Sequence, residues 1–399
     1  MNPNVKTCLF IMTFVSLAMC ATAQSLNTVV SFDGTHGASP QADLAASGSM
    51  VYGTTYSGGS SNAGTIFSVN AIGNSFSNIY NFTGGSDGRG PQAGVVVSGN
   101  TLYGTTELGG SGNGTVFGVN TNGGGFTNIY SFNGTDGSIP TAGLVLSGNT
   151  LYGATQNGGS GQGNLFQINT DGTHFTNIYS FSPTVFDSAI NASTNSDGAN
   201  PGTVLVLSNS TLYGTAYHGG SAGQGTTFKI NTDRSGFTVL HNFAGTNSDG
   251  AGPGDLLLSG GTLYGTTQNA GSSDKGTVFK MTTTGSGFTV LKNFAGGSDG
   301  ANPTSTLVLS GNTLYGTTQN GGLSGHGTVF SLALSSVIVP IPLNITSIGN
   351  AVGLSWSDPA FLLQASTLVT GVYTNVRGAT SPYTNAISGP AEFFRLQAN

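Results

Sequence analysis

The chain has 399 residues, 66 of them glycine, and charged residues make up only 6% of it. A net charge of −6 gives a surface that repels phosphate backbones, which argues against a nucleic-acid partner. The 23 Phe and 13 Tyr argue equally against a disordered glycine-rich tail, since such tails have few aromatic rings to bury.

Residues 1–23 read as an export signal. Lys6 supplies the positive start, Cys8 to Cys20 form an apolar run, and "ATA" at Ala21 to Ala23 offers a small-residue cleavage site. The run is shorter than the ~20 apolar residues of a membrane-spanning helix, and no second such run follows. The mature chain is therefore expected outside the cytoplasm (extracellular, cell-surface or periplasmic) and without a transmembrane helix. Both cysteines lie in the leader, so no disulfide is expected in the mature chain. Lipidation of Cys20 is the alternative, although Met19 is a poor residue to precede a lipidated cysteine.

Beyond the leader, "LYGTT" or a near copy recurs at Tyr52, Tyr103, Tyr152, Tyr213, Tyr264 and Tyr315, with spacings of 51, 49, 61, 51 and 51 residues. A period near 50 marks a repeat architecture. Each full copy resolves into four β-type runs: in the second they are "GVVVS" from Gly94, "TLYGTT" from Thr101, "TVFGV" from Thr115 and "FTNIYSF" from Phe126. Short Gly/Asn connections make each copy a four-stranded antiparallel meander. Such a small-residue sheet needs neighbours to cover it, and the glycine after each repeated tyrosine reads as room for an adjacent sheet to come close. The sixth copy ends after its third run, "TVFSL" from Thr328, whereas "LNTVVSF" at Leu26 to Phe32 is a fourth run with no copy before it. Placed beside Thr328–Leu332, that orphan completes the sixth sheet and closes a ring, removing two exposed edges. The expected fold is all-β: residues 24–334 form a six-bladed β-propeller of four-stranded antiparallel blades, closed by the N-terminal strand. An open solenoid would instead require distinctive caps at both ends.

"GSDGANP", "LYGTTQNGG" and "GTVF" resemble the bacterial GloVer tandem repeat of the choice-of-anchor family, over about Leu26 to Leu334, and "LYG" followed by "GG" is more distantly similar to a kelch blade. The resemblance implies an exported, surface-associated propeller-like array with a variable C-terminal attachment module. It carries no activity or catalytic residue with it.

In an up-and-down blade, successive loops alternate between the two ends of the sheet, so the longer "QNGGSG" and "GSDGANP" loops share one face. That face is the expected working face, because loops on a rigid scaffold commonly carry function. The 61-residue spacing reflects an insertion at Ser182 to Ser196 on the same face, read either as a site or as a tolerated surface loop. Departures from the repeat supply the candidate ligand-binding set: Phe186, Tyr217, His218, Glu107 and Arg89. The recurring Asp87, Asp136, Asp197, Asp249 and Asp299 each precede glycine and read first as turn formers. Calcium is the one cofactor they could hold, and no D-x-D-x-D ladder supports it. The five histidines are scattered without zinc-site spacing, so no metal site is expected.

Residues 335–342, "SSVIVPIP", read as a linker stiffened by two prolines, and residues 343–399 as a small β-sandwich that resembles fibronectin- or immunoglobulin-like modules. Trp356 is read as its core residue or, alternatively, as a sugar-stacking platform. Glu107 and Glu392 are the only glutamates, and no nucleophile elbow, Walker motif or dinucleotide fingerprint occurs. The sequence thus favours a non-enzymatic scaffold or adhesion protein that binds a glycan or surface polymer through the long-loop face. A polysaccharide lyase or glycoside hydrolase acting on the same face is the alternative, and oligomeric state is left open.

Overall fold

The computed structural model describes residues 29–70, 75–334, 343–348, 351–356, 361–367, 372–386 and 393–398. The segment read as an export signal, Leu26 to Thr28 of the orphan run and the segment 335–342 read as a linker lie outside them. Among the described residues every regular element is a strand and no helix occurs. In the first repeat β1 is Ala45–Ser47, β2 is Met50–Thr55, β3 is Thr65–Asn70 and β4 is Phe76–Asn81. They pair in sequence order as an antiparallel meander, and four further repeats do the same, ending with Thr289–Asn293. An extra hairpin, Val185–Asp187 with Ala192–Thr194, fills the insertion before the fourth repeat.

Within a sheet, the register explains the repeated glycine. Gly53 lies directly across from Phe67, and a Cβ there would sit 2.5 Å from Cζ of that ring. The same clash recurs at Gly104 with Phe117, Gly153 with Phe166, Gly214 with Phe228 and Gly265 with Phe279. The space left by the missing side chain is therefore taken by a ring from the next strand of the same sheet. It is not left for a neighbouring sheet, as the sequence alone had suggested. Immediately beside each Phe the outer strand carries a β-bulge, for instance between Ile66 and Phe67 and between Val116 and Phe117, which bends and twists it.

Between sheets, the seam is aromatic. Phe82, fully buried after β4, meets Phe117 of the next repeat edge-on at 5.2 Å, while Tyr80 stacks flat on Phe126 at 4.1 Å. Phe132, Phe181 and Phe243 repeat the edge contact on Phe166, Phe228 and Phe279. Each apolar cluster accordingly spans two sheets: Tyr52, Ile66 and Phe82 join Leu102, Phe117 and Val119. Aromatic pairs of this geometry add about 0.5–1.5 kcal/mol beyond their area burial. Val29 to Phe32 carry no strand pairing among the described residues, but Phe32 lies edge-on to Phe67 at 5.1 Å and to Phe76 at 5.9 Å. That is the contact pattern Phe82 makes on Phe117 and Phe126.

The chain divides into two compact units, and the boundary runs through the sixth repeat: one unit holds residues 29–307 and 317–328, the other 308–316 and the described residues from 329 on. In the second unit Val308–Ser310 pairs antiparallel with the segment from Thr313. Toward the C-terminus lie two three-stranded sheets, Asn344–Ile348, Ala351–Ser355 and Tyr383–Ala386, and Phe361–Ser366, Thr374–Asn375 and Phe393–Ala398. Leu354, Trp356 and Leu363 are buried together, with Tyr383 and Phe394 packed against them.

Candidate functional site

A narrow cavity of about 250 Å³ is lined by one aligned position from every repeat: Asp43, Gly94, Gly143, Val204, Asp255 and Thr306. Five of them stand two residues before the short first strand of their repeat and Asp255 lies within Ala251–Ser259, and the small residues among them leave the cavity open as a narrow channel. Two aspartates interrupt that pattern. Thr306 Oγ1 lies 2.8 Å from Asp255 Oδ2 and 3.0 Å from Asp43 Oδ2, and Val204 N donates to Asp255 Oδ1 at 2.9 Å. A hydroxyl has one proton to give, so Thr306 can donate fully to only one of the two carboxylates. Burial in the channel wall pushes Asp255 above the ordinary carboxylate range, and the charge of Asp43 adds to it, against the hydrogen bonds from Thr306 and Val204.

Above the channel a wider cavity of about 610 Å³ opens among the long loops. Gln92, Gly202, Asp255 and Thr304 line both spaces. The mouth owes its character to the residue four positions after the repeated tyrosine, which is Gln156, Tyr217 and Gln268 in the third to fifth repeats. Tyr217 OH donates to Gln268 Oε1, and Asn269 Nδ2 donates to the phenol oxygen at 3.3 Å. The phenol ring lies over Gly252, where a Cβ would meet it at 2.8 Å. Asn200, held at a φ of 56° before Pro201, donates from Nδ2 to the Gln156 carbonyl at 3.1 Å and to Asn157 Oδ1 at 3.3 Å. The left-handed conformation is one that Asn tolerates better than most residues.

The structure thus brings Tyr217 and His218 together at the mouth, with ring centroids 4.7 Å apart. Protein atoms around the His218 ring lower its pKa by desolvation, although the residue as a whole is exposed. Glu107 forms a second group. Its carboxylate raises the pKa of the Tyr56 phenol, and exposed Arg89 acts on the same phenol in the opposite direction through its charge. Arg89 also anchors its loop by exchanging backbone hydrogen bonds with Leu108. Phe186 stands apart, 61% exposed on the inserted hairpin, and lines neither cavity described above. The channel aspartates and the mouth amides are what sequence reasoning missed. Aligning the first strands would have exposed Asp43 and Asp255, because they replace Gly, Val or Thr at that position.

The recurring Asp-Gly aspartates serve as latches. Asp87 accepts from Tyr80 OH at 3.1 Å and from Thr83 N and Oγ1 at 2.8 and 2.6 Å. Asp136 holds Tyr130 and Asn133, Asp197 holds Tyr179 and Ser182, Asp249 holds His241 and Ala244, and Asp299 holds Lys292 and Ala295. Each ties the crossover loop to the outer strand it leaves, which occupies the carboxylate with protein donors. Burial and the paired carboxylate push Tyr80 up to about 12 and shift Tyr130 and Tyr179 in the same direction. Among the described residues, no three His, Cys, Asp or Glu gather as metal ligands would.

Sequence comparison places this protein in the Gloeobacter/Verrucomicrobia repeat family, whose profile matches residues 13–194 and 185–353. With its repeated four-stranded sheets, the chain is a tandem-repeat protein of β-propeller-like, all-β fold. No curated protein matches it. Among solved structures it is similar to a chain of the nidogen/laminin complex (15% identity, 68% of this chain and 87% of that one, TM-score 0.41). It is also similar to the computationally designed Ika8 protein (13%, 87% and 90%, TM-score 0.44) and to TolB from Acinetobacter baumannii (10%, 73% and 56%, TM-score 0.39). No described helix is long and apolar enough to cross a membrane.

Proposed function

We propose that this protein is an exported, non-enzymatic six-bladed propeller that binds a glycan or surface polymer at its long-loop mouth. The observation that carries the reading is the mouth itself: a cavity of about 610 Å³ where the amides of Gln156, Asn157 and Gln268 surround the Tyr217 ring. Amides offer donors and acceptors side by side, as sugar hydroxyls require, and an aromatic ring covers the apolar face of a pyranose. The size falls within the usual ~300–1,000 Å³ of ligand pockets.

Ring closure is part of the same proposal. It is supported by the seam-like packing of Phe32 on Phe67 and Phe76, and by the hydrogen bond from Thr306 of the sixth repeat to Asp43 of the first. For the C-terminal module, the two three-stranded sheets around Leu354, Trp356 and Leu363 support a small fibronectin-like sandwich in which Trp356 is a core residue. The lyase or hydrolase alternative is less well supported. Glycoside hydrolysis usually sets two carboxylates about 5–10 Å apart across the bond. Asp43 and Asp255 both hold the Thr306 hydroxyl, which occupies the space between them.

The chain lacking residues 1–23 should be retained on immobilised neutral polysaccharides without generating new reducing or unsaturated ends. Tyr217→Ala should abolish retention while the chain still unfolds in a cooperative thermal transition. New ends would transfer the protein to the enzyme class, and failure to bind any polysaccharide would remove the reading altogether.

A further inference from the structure

Beside the mouth lies a second cavity of about 490 Å³, bounded by Gln162, Gln224 and the inserted hairpin through Thr184, Asn191 and Ser193. Asn200 and His218 line both this flank and the mouth. They form a shared wall, so the two cavities follow one another along the surface. The hairpin that builds the far side belongs to the one copy of the repeat with a 61-residue spacing, which sets this flank apart from the other repeats. Its polar groups are again amides and hydroxyls. Among the described residues that line the two cavities there is no Lys or Arg, the one carboxylate is Asp255 at the channel, and His218 is the one other titratable ring besides Tyr217.

We infer that mouth and flank are consecutive subsites of a single groove that takes an uncharged oligosaccharide chain, crossing from one to the other over His218. The inference rests on the glycan reading above and adds two things to it, length and charge. A wall without cations has nothing to offset the desolvation of a carboxylate or sulfate, so uronate or sulfated chains are disfavoured. Two linked subsites make the ligand a chain, since the second site engages only when a connected sugar reaches it. Amide-to-hydroxyl hydrogen bonds contribute about 0.5–1.5 kcal/mol each net, so filling the flank should tighten binding roughly tenfold.

Calorimetric titration of the chain lacking residues 1–23 tests this with neutral gluco- and manno-oligosaccharides of one to six units and a uronate oligomer of equal length. Affinity should rise roughly tenfold between the shortest and the longer neutral oligomers. Gln162→Ala/Gln224→Ala should remove that gain and leave the short oligomers unaffected. Tyr217→Ala should lose all of them. Length-independent affinity, still lost in Tyr217→Ala, overturns the groove while the mouth reading stands. Binding of the uronate oligomer alone overturns the charge argument but keeps a glycan site. If no sugar binds, both inferences fall together.

Discussion

The seams between repeats and the mouth at the long-loop end are drawn from aligned positions of the same repeat, yet they differ in kind. Phe82, Phe132, Phe181, Phe243 and Phe294 are one residue type at one position, each buried to within 1%. The position four after the repeated tyrosine reads Tyr56, Glu107, Gln156, Tyr217, Gln268 and Gln319. A seam poses the same packing problem at every blade boundary and so takes the same solution. The mouth position differs from copy to copy, so no single packing solution is repeated there.

The sharpest way to break this contrast is at a seam. Phe132→Ala should cost about 3–5 kcal/mol, as deletion of a buried aromatic ring does, with a fall in urea midpoint to match. Tyr217→Ala, cut from the mouth, should cost clearly less, about 1–2 kcal/mol, because it gives up the hydrogen bonds with Gln268 and Asn269. Equal losses would mean that the mouth is also structural. Next in size is Gly153→Ala. Its Cβ would fall 2.5 Å from Phe166 Cζ, and overpacking of this sort costs about 1–3 kcal/mol. An undisturbed melting temperature would show that the ring can step aside.

Two titrations sharpen the comparison further. The latch tyrosines Tyr80, Tyr130 and Tyr179 ionise later in the folded state than the ordinary 10.0. Below pH 10 both states keep the phenolic protons and the latches contribute fully. Above it the unfolded chain releases protons that the folded one retains, so stability should decline from pH 10 up through about 12. Tyr130→Phe, followed by chemical denaturation at pH 8 to 11.5, should flatten that decline. The channel behaves in the opposite sense at acid pH. With its folded pKa above 3.8, ionised Asp255 costs stability at neutral pH, and acidification through the folded value relieves that cost. Asp255→Asn should therefore melt slightly higher than the parent at pH 7, with the advantage shrinking toward pH 4. A mutant that melts lower at pH 7 would mean that the contacts with Thr306 and Val204 outweigh the desolvation.

Most of the architecture was legible because it repeats. The "LYG" tyrosines set the period, the β-type runs located the strands, and Gly/Asn pairs marked the turns between them. The role of Gly53 was not legible, because only the register shows that Phe67 stands across from it. Nor were the Asp-Gly latches fully readable: turn chemistry explained the glycine, while the partner residues Tyr80, His241 and Lys292 lie on a strand several residues upstream. Tyr217 and His218 were found as departures from the repeat. Gln156, Gln268, Asp43 and Asp255 were not, since ordinary polar residues stand out only once the fold gathers them from separate repeats around common cavities.

Everything proposed for the mouth requires that the first and sixth repeats meet at that axis, where Thr306 reaches Asp43. Once residues 1–23 are removed the chain has no cysteine, so Asp43→Cys/Thr306→Cys would carry only the two introduced thiols. Treated with a short bifunctional thiol reagent at low protein concentration, this variant should yield an internally cross-linked monomer with both thiols consumed. Two thiols that stay independently titratable, or cross-link only between molecules, would contradict the closed arrangement.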